Sequence, residues 1–234
     1  MKKHLHNSLR ALFLSLSVLL SLPMLAESIE IDGINYDLIT ESKEAAVIAK
    51  SNGRYSGEIV IPESVEHEGT TYSVTSIGGC AFYECSGLTS VTIPTSVTSI
   101  WDYAFDGCSG LTSVTIGNSV KSIKRYAFRG CSKLHDVYCY AENVPSTKSD
   151  AFDGSYPENA TLHVPDASID SYKASAPWSR FGKIVALAPE ETGITETENG
   201  KVKSENSAVY DLSGRRVQKG QKGVFIQNGK VMVK

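Results

Sequence analysis

The sequence contains none of the short motifs that mark the common catalytic and nucleotide-binding sites. G-x-S-x-G, H-E-x-x-H, G-x-x-x-x-G-K-[ST] and G-x-G-x-x-G are all absent. After residue 26 the chain has only three histidines, His67, His135 and His163. His135 and Asp136 could form an acid–base pair, but neighbours in a strand point to opposite faces, so we expect them to diverge. The sequence therefore predicts a protein that is not an enzyme and that carries no cofactor.

An excess of positive charge is also missing. The chain has 23 Lys and Arg against 26 Asp and Glu, a formal net charge of −3. Without residues 1–26, which contain Lys2, Lys3 and Arg10, the net charge becomes −3 − 3 = −6. No basic surface remains that would attract nucleic acid, so we expect no nucleic-acid partner.

Long apolar runs are missing after residue 26. Before it, Lys2, Lys3 and Arg10 precede an apolar stretch at 9–22, which Pro23 ends. This order is typical of a secretory signal peptide, with cleavage expected after Ala26. The stretch is shorter than the roughly 20 residues that a transmembrane anchor needs. We therefore expect an exported protein, secreted or on the cell surface, with no transmembrane segment.

What the chain does contain is a repeat of 23 residues. The three full repeats are VTSIGGCAFYECSGLTSVTIPTS (74–96), VTSIWDYAFDGCSGLTSVTIGNS (97–119) and VKSIKRYAFRGCSKLHDVYCYAE (120–142). Such a period with an L-x-x-V-x-I core is typical of a leucine-rich solenoid, whose units stack because none can bury its apolar side alone. The recurring apolar columns are Val74/Val97/Val120, Ile77/Ile100/Ile123, Phe82/Phe105/Phe128, Cys85/Cys108/Cys131, Leu88/Leu111/Leu134 and Val91/Val114/Val137.

Each repeat predicts its own local structure. Val91 and Ile93 alternate with Ser90 and Thr92, which predicts a strand with the apolar pair inward and the polar pair outward. A second short strand is expected at 97–100. The Ala-Phe-x-x-Cys stretch predicts a tight helical turn whose phenylalanine fills the core.

These columns resemble the BspA-like leucine-rich repeats of bacterial surface proteins. Residues 55–77 are similar to that family's expanded first unit, with an insertion before Val74, and 151–165 to a degenerate last unit. A hairpin at 29–39 would cap one end. At the other end, 166–187 would supply a helix with Asp166 as its N-cap and an aromatic plug. The plug residues are Tyr172, Trp178 and Phe181. The resemblance implies a mainly β solenoid of about 23-residue units, spanning 27–188 with its caps.

The cysteines follow the repeat. Cys85, Cys108 and Cys131 share one inward column, and Cys139 takes a strand column, whereas Cys80 stands where Tyr103 and Tyr126 stand. Free cysteine behaves as a small apolar residue, so we predict buried, unpaired thiols. Rungs about 5 Å apart leave a disulfide between neighbours open as the alternative.

The composition changes after Pro189. Residues 189–200 are polar and acidic, which favours a linker, and 201–234 show short β-type runs separated by glycines. Asn228-Gly229 predicts a hairpin. From residue 199 on there are 8 Lys and Arg and 2 Asp and Glu, a charge of about +6. The Y-D-x-x-G-R stretch at 210–215 and G-V-F-I at 223–226 resemble the C-terminal sorting domains of type IX secretion. We therefore predict a small all-β sorting or anchoring module at 201–234.

The outward strand positions predict where a partner would bind. The first two full repeats offer only Ser and Thr there, whereas the third offers Asp136 and Tyr138, flanked by His135 and Tyr140. Trp101 stands in a column otherwise held by Gly and Lys, and either it is exposed or it packs on Tyr126. We expect a monomer that binds a protein ligand, such as a host matrix protein, without catalysis. A glycan-binding accessory module using Trp101, Tyr138 and Tyr140, or a structural surface protein without a specific ligand, are the alternatives.

Overall fold

The computed structural model describes residues 27–187 and, in the C-terminal part, the backbone of four short strands between 209 and 233. The predicted signal peptide (1–26) and linker (189–200) lie outside the described residues. The chain divides into two compact units, 1–187 and 188–234. In the described part, no helix is long and apolar enough to cross a membrane.

The described part of the chain begins with an antiparallel meander. Strands β1 (Glu27–Ile31), β2 (Ile34–Ile39) and β3 (Glu44–Ile48) pair in order. Asp32 and Gly33 link β1 to β2 with φ of 49° and 79°, a left-handed pair that glycine and aspartate tolerate well. The predicted hairpin is confirmed.

The insertion in the first repeat forms a second hairpin. Strands β5 (Ser64–His67) and β6 (Thr70–Ile77) pair antiparallel, and Glu68 and Gly69 make the turn between them. Strand β6 also pairs in parallel with β3. The hairpin therefore connects the meander to the repeats.

The repeats build a six-stranded parallel sheet in the order β14-β13-β11-β9-β7-β4. Its strands are β4 (Gly57–Val60), β7 (Leu88–Ile93), β9 (Ser113–Ile116), β11 (Asp136–Cys139), β13 (Thr161–Val164) and β14 (Lys183–Ala186). Val91 pairs with Val114 and Val114 with Val137, a register of 23 residues. The predicted columns and the observed register agree.

A second sheet lies on the other side of the core. Very short strands β8 (Ser99–Ile100), β10 (Ser122–Ile123) and β12 (Ser146–Thr147) continue from β6 in parallel. Together with the meander and β5 they form a sheet of eight strands. The predicted second strand at 97–100 thus exists, but it covers only its last two residues.

The Ala-Phe-x-x-Cys stretch is not helical, contrary to the prediction. Consecutive turns occupy it, and left-handed residues such as Tyr103 (φ 60°) and Gly107 (φ 74°) interrupt any helical path. The reason lies in the hydrogen bonding between repeats. The Phe82 N–H donates to the Ala104 carbonyl of the next repeat, and the Phe105 N–H to Ala127, both at 2.7 Å. These amides satisfy their hydrogen bonds in the neighbouring repeat, so no helix is needed.

The phenylalanines form a continuous stack through the core. The ring centroids of Phe82, Phe105, Phe128 and Phe152 follow each other at 4.8, 5.0 and 5.4 Å, with nearly parallel planes. All four side chains are fully buried. The predicted phenylalanine column therefore runs through the core of the repeats.

The cysteine column lies beside this stack. Cys85, Cys108, Cys131 and Cys139 are buried and unpaired, as predicted. The Cys108 and Cys131 thiols lie 3.0 and 3.2 Å from the carbonyls of Phe82 and Phe105, respectively. Cys80 differs from the prediction because it is exposed. It stands in a turn position that faces solvent.

Residues 157–187 close the far end. Short 3₁₀ turns at 157–159, 166–168 and 178–180 flank helix α1 (Ile169–Lys173). Tyr172 and Trp178 are fully buried and Phe181 nearly so, which confirms the predicted plug. The N-cap prediction for Asp166 is wrong: Pro165 holds the cap position of that 3₁₀ turn, Asp166 is its first residue, and no side chain caps it.

The C-terminal unit contains a four-stranded antiparallel sheet. Its strands are β15 (Val209–Asp211), β16 (Arg216–Val217), β17 (Val224–Gln227) and β18 (Lys230–Val233), in the order β16-β15-β17-β18. Gln227 pairs with Lys230, and the hairpin turn predicted at Asn228-Gly229 would lie between them. Those two residues, and the glycines at 214, 220 and 223, lie outside the described residues.

Candidate functional site

The side of the six-stranded sheet that points away from the core is called the outer face here. Alternation along each strand buries residues such as Val114 and leaves its neighbours Ser113 and Thr115 outside. The strand register aligns these outward residues in two rows. The rows are Glu58, Ser90, Ser113, Asp136, Thr161, Lys183 and Val60, Thr92, Thr115, Tyr138, His163, Val185.

Strands β11 and β13 carry the aromatic rings of the outer face. Tyr138 and His163 are register partners, and their rings stack with centroids 4.3 Å apart and planes 13° apart. On β7 and β9 the same rows hold only Ser and Thr. The stack therefore gives the outer face one rigid aromatic feature.

Asp136 sits between two histidines. Its Oδ2 lies 2.8 Å from His135 Nδ1, and its Oδ1 lies 3.1 Å from His163 Nε2. The expectation that His135 and Asp136 diverge is wrong. Strand β11 begins at Asp136, so His135 precedes it and strand alternation does not fix its direction.

The two histidines change the acidity of Asp136. Partial burial raises the pKa of its carboxyl. Hydrogen bonds from His163 and His135, together with the charges of those rings, lower the pKa by more than burial raises it. The net pKa lies below the ordinary value of 3.8. Asp136 is therefore an anion at neutral pH and holds the two rings in place.

Tyr140 and Trp101 are the other residues that the sequence singled out. Tyr140 is two residues beyond Tyr138 and 37% exposed. Trp101 is 47% exposed and lies apart from the others, because it follows β8 in the other sheet. The Lys124 ammonium lies 5.8 Å from the centre of the Trp101 ring. The ring of Tyr126 packs against that of Tyr103. The structure thus groups His135, Asp136 and Tyr138, with Tyr140 nearby.

Sequence reasoning missed two features. One is the contact of His163 with Asp136, which stands 27 residues earlier in the chain. The other is Arg129, whose guanidinium donates to both carboxylate oxygens of Asp106 at 2.9 and 2.6 Å. The same guanidinium lies 5.6 and 4.7 Å from the ring centres of Tyr103 and Tyr126. The signal for this ion pair was present, since Asp106 and Arg129 share a column one repeat apart.

The outer face carries side chains that are suited to binding another molecule. It presents a stacked tyrosine and histidine, a fixed carboxylate and surrounding hydroxyls, which can supply contact area and hydrogen bonds. Among residues 27–187, no three His, Cys, Asp or Glu side chains are placed to hold a metal ion.

Comparison with known proteins gives the family of the repeats. Residues 59–174 match the BspA type leucine rich repeat region, in six copies. No curated protein matches the chain. The family match therefore extends beyond the three full repeats, which span 74–142, on both sides.

Several solved structures are similar to the chain. A leucine-rich repeat protein from Bacteroides capillosus is 26% identical with a TM-score of 0.49, over 58% of this chain and 97% of that one. Another from Bacteroides ovatus is 28% identical with a TM-score of 0.49, over 68% and 41%. A leucine rich cell surface protein from Faecalibacterium prausnitzii is 26% identical with a TM-score of 0.44, over 62% and 46%. The chain thus spans nearly all of the first protein and less than half of the other two. By the family match, residues 59–174 are a BspA-type leucine-rich repeat region.

Proposed function

We propose that the protein is a non-catalytic binding protein that works outside the cell and adheres to a protein ligand, such as a host matrix protein. The contact is made by the outer face, centred on His135, Asp136, Tyr138 and His163, with Tyr140 at its border. The observation that carries the proposal is the Tyr138–His163 stack with Asp136 hydrogen-bonded to His163. It is a rigid, chemically distinct patch on a sheet whose strands β7 and β9 present only Ser and Thr in the same rows.

Physical reasoning supports a protein ligand for this patch. A few aromatic and charged anchors dominate protein interfaces, and rigid rings lose little conformational freedom on binding. The His163 side chain is 20% exposed and that of Asp136 is 32% exposed, so both are already held before a partner arrives. The Ser and Thr rungs around them would exclude water at the rim of the interface.

Delivery to the outside belongs to the same proposal. Residues 1–26 act as the signal peptide, 27–188 form the binding domain, 189–200 are a linker and 201–234 are a sorting or anchoring module of the type IX kind. From residue 199 on the chain carries a charge of about +6, whereas the rest of the chain is acidic.

A glycan-binding accessory role is the second candidate. Trp101 and Tyr140 are 47% and 37% exposed, and exposed rings can stack on sugars. A structural surface protein without a specific ligand is the third candidate, and this role requires neither Trp101 nor Tyr140.

One screen separates the three. The full chain, and a chain without residues 199–234, are applied to immobilised matrix proteins and to a glycan array at physiological salt. The shortened chain controls for adsorption through the basic tail. We expect saturable binding of both forms to a matrix protein. Glycan binding that depends on Trp101 and occurs without matrix binding would favour the second role, and no binding on either surface would contradict the proposal.

A further inference from the structure

A concave groove lies at the corner where the six-stranded sheet passes into the second sheet. Its walls are the connecting segments of three successive repeats, 94–98, 117–121 and 140–147. Its volume is about 830 Å³, within the roughly 300–1,000 Å³ of small-ligand sites. The groove is separate from the Asp136–His163 cluster, and Tyr140 lies along its edge.

The third wall of the groove departs from the repeat. Five residues connect β7 to β8 and β9 to β10, whereas six residues, 140–145, connect β11 to β12. The extra residue enlarges this segment, which contains Glu142, Asn143 and Val144. The repeat pattern alone would have placed the same five-residue turn in all three positions.

The C-terminal cap holds this enlarged segment in place. The Tyr172 hydroxyl donates to the Ala141 carbonyl at 2.8 Å, and the Ser168 hydroxyl donates to the Glu142 carbonyl at 2.7 Å. The Trp178 ring N–H donates to the Thr147 hydroxyl at 3.1 Å. Since the wall is fixed before binding, a ligand would lose little free energy in ordering it.

The lining of the groove presents polar and apolar surface in nearly equal amounts and carries no net charge. Hydroxyl and amide side chains prevail, and the single cation, Lys121, is matched by the single anion, Glu142. An anionic ligand would need an excess of cations, and an acyl chain would need an apolar lining. The side chains with small hydroxyl or amide groups on the walls are Thr95, Ser96, Thr98, Asn118, Ser119, Asn143 and Ser146. Such groups donate and accept hydrogen bonds alike, which suits a neutral ligand rich in hydroxyls.

The spacing of the walls favours a ligand with a repeating unit. Successive rungs of the sheet are about 4.8 Å apart, a step close to the length of one sugar ring in a chain. Asn118 and Asn143 belong to successive rungs, and Tyr140 offers a partly exposed ring at the edge. We propose that the groove binds a neutral linear oligosaccharide, with two or three rings along the three walls. This site acts independently of the outer face and uses neither Trp101 nor Tyr138.

The test is a nuclear magnetic resonance titration of the full chain with neutral trisaccharides of glucose, mannose, galactose, xylose and N-acetylglucosamine, in α and β linkage. We expect at least one of them to shift the amide signals of 94–98, 117–121 and 140–147 in a saturable way. Asn143→Ala and Tyr140→Ala should each weaken that affinity at least about tenfold, the effect of one lost anchor.

Matched controls separate this site from the outer face. Asn52→Ala and Tyr156→Ala remove the same side chains from exposed positions outside the groove and should leave the sugar affinity unchanged, as should Tyr138→Ala. If none of the neutral trisaccharides shifts these amides, the proposal is wrong. It is equally wrong if binding survives both groove substitutions. None of these outcomes bears on matrix binding by the outer face.

Discussion

Phe105 is the residue on which the packing of the repeats can be tested most simply. Its ring lies between those of Phe82 and Phe128 and is fully buried. Phe105→Ala should lower the free energy of unfolding by about 3–5 kcal/mol, through lost burial and the cavity left behind. Thr92→Ala, at an outward position, should lower it by less than about 0.5 kcal/mol. Guanidine melts of both variants measure this, and equal midpoints would contradict the stack.

The five cysteines should divide into one reactive and four protected thiols. Burial raises the pKa of the Cys85 thiol to about 11, and a hydrogen bond to Cys108, together with burial, raises that of Cys131. Raised pKa values and burial both suppress alkylation, because the thiolate is the nucleophile. Cys80 is exposed, so iodoacetamide should modify it alone in the native protein.

Mass spectrometry before and after unfolding in guanidine checks the thiol prediction. The Cys80→Ser variant should show no modification until it is unfolded. A native disulfide, or several thiols modified without denaturant, would show that the column is not a set of buried free cysteines.

At the scale of the element, the turn segments are joined by an ion pair between repeats. Asp106 is 4% exposed and receives two hydrogen bonds from Arg129. Arg129→Ala would leave this carboxylate buried without its cation, so we expect a loss of about 1–3 kcal/mol in the free energy of unfolding. Arg125→Ala removes a more exposed pair with Asp150 and should destabilise the fold less than Arg129→Ala does. Thermal melts that rank the two variants in the opposite order would contradict this view of the turns.

The elements also show what the sequence could and could not predict. The 23-residue register and the inward columns followed from period and alternation, because identical residues such as Val91 and Val114 occupy equivalent places. The hairpin at Asp32-Gly33 followed from turn chemistry. The Ala-Phe-x-x-Cys turns did not, because their amides bond to the next repeat and not within a helix.

The site was only partly predictable for a similar reason. Asp136 and Tyr138 stand out in their columns, so the sequence pointed to them. The contact with His163 depends on how the third repeat stacks on the degenerate unit after it, where the sequence pattern is weak. The direction of His135 depends on where strand β11 begins, and strand ends are the part of an element that sequence defines least.

At the scale of the whole molecule, the chain combines a repeat unit with a separate C-terminal unit. The acidic stretch at 189–200 is typical of a linker that few contacts cross. Deleting residues 199–234 should therefore leave the melting temperature of the repeat unit within about 2 °C, less than a change of 1 kcal/mol would cause in a domain of this size. The same deletion should keep the protein inside the producing cell if the tail is a sorting signal. Calorimetry and cell fractionation measure the two effects, and normal delivery without the tail would contradict the sorting role.

The repeat unit carries two proposed binding surfaces, the outer face and the groove. Both depend on the third full repeat, which departs from the other two at Asp136, Tyr138 and the six-residue connection after β11. The first two repeats supply mainly stacking and small polar side chains. The central claim is therefore that binding is concentrated at the third repeat and is not spread along the sheet.

Titration of the captured matrix protein with two single variants tests that claim most directly. Tyr138→Ala and Thr115→Ala change register partners in the same outward row, and circular dichroism melts would verify that both fold. Tyr138→Ala should weaken binding by about 2 kcal/mol, roughly thirtyfold, and Thr115→Ala should change it less than about twofold. Equal affinities for the two variants would contradict the account.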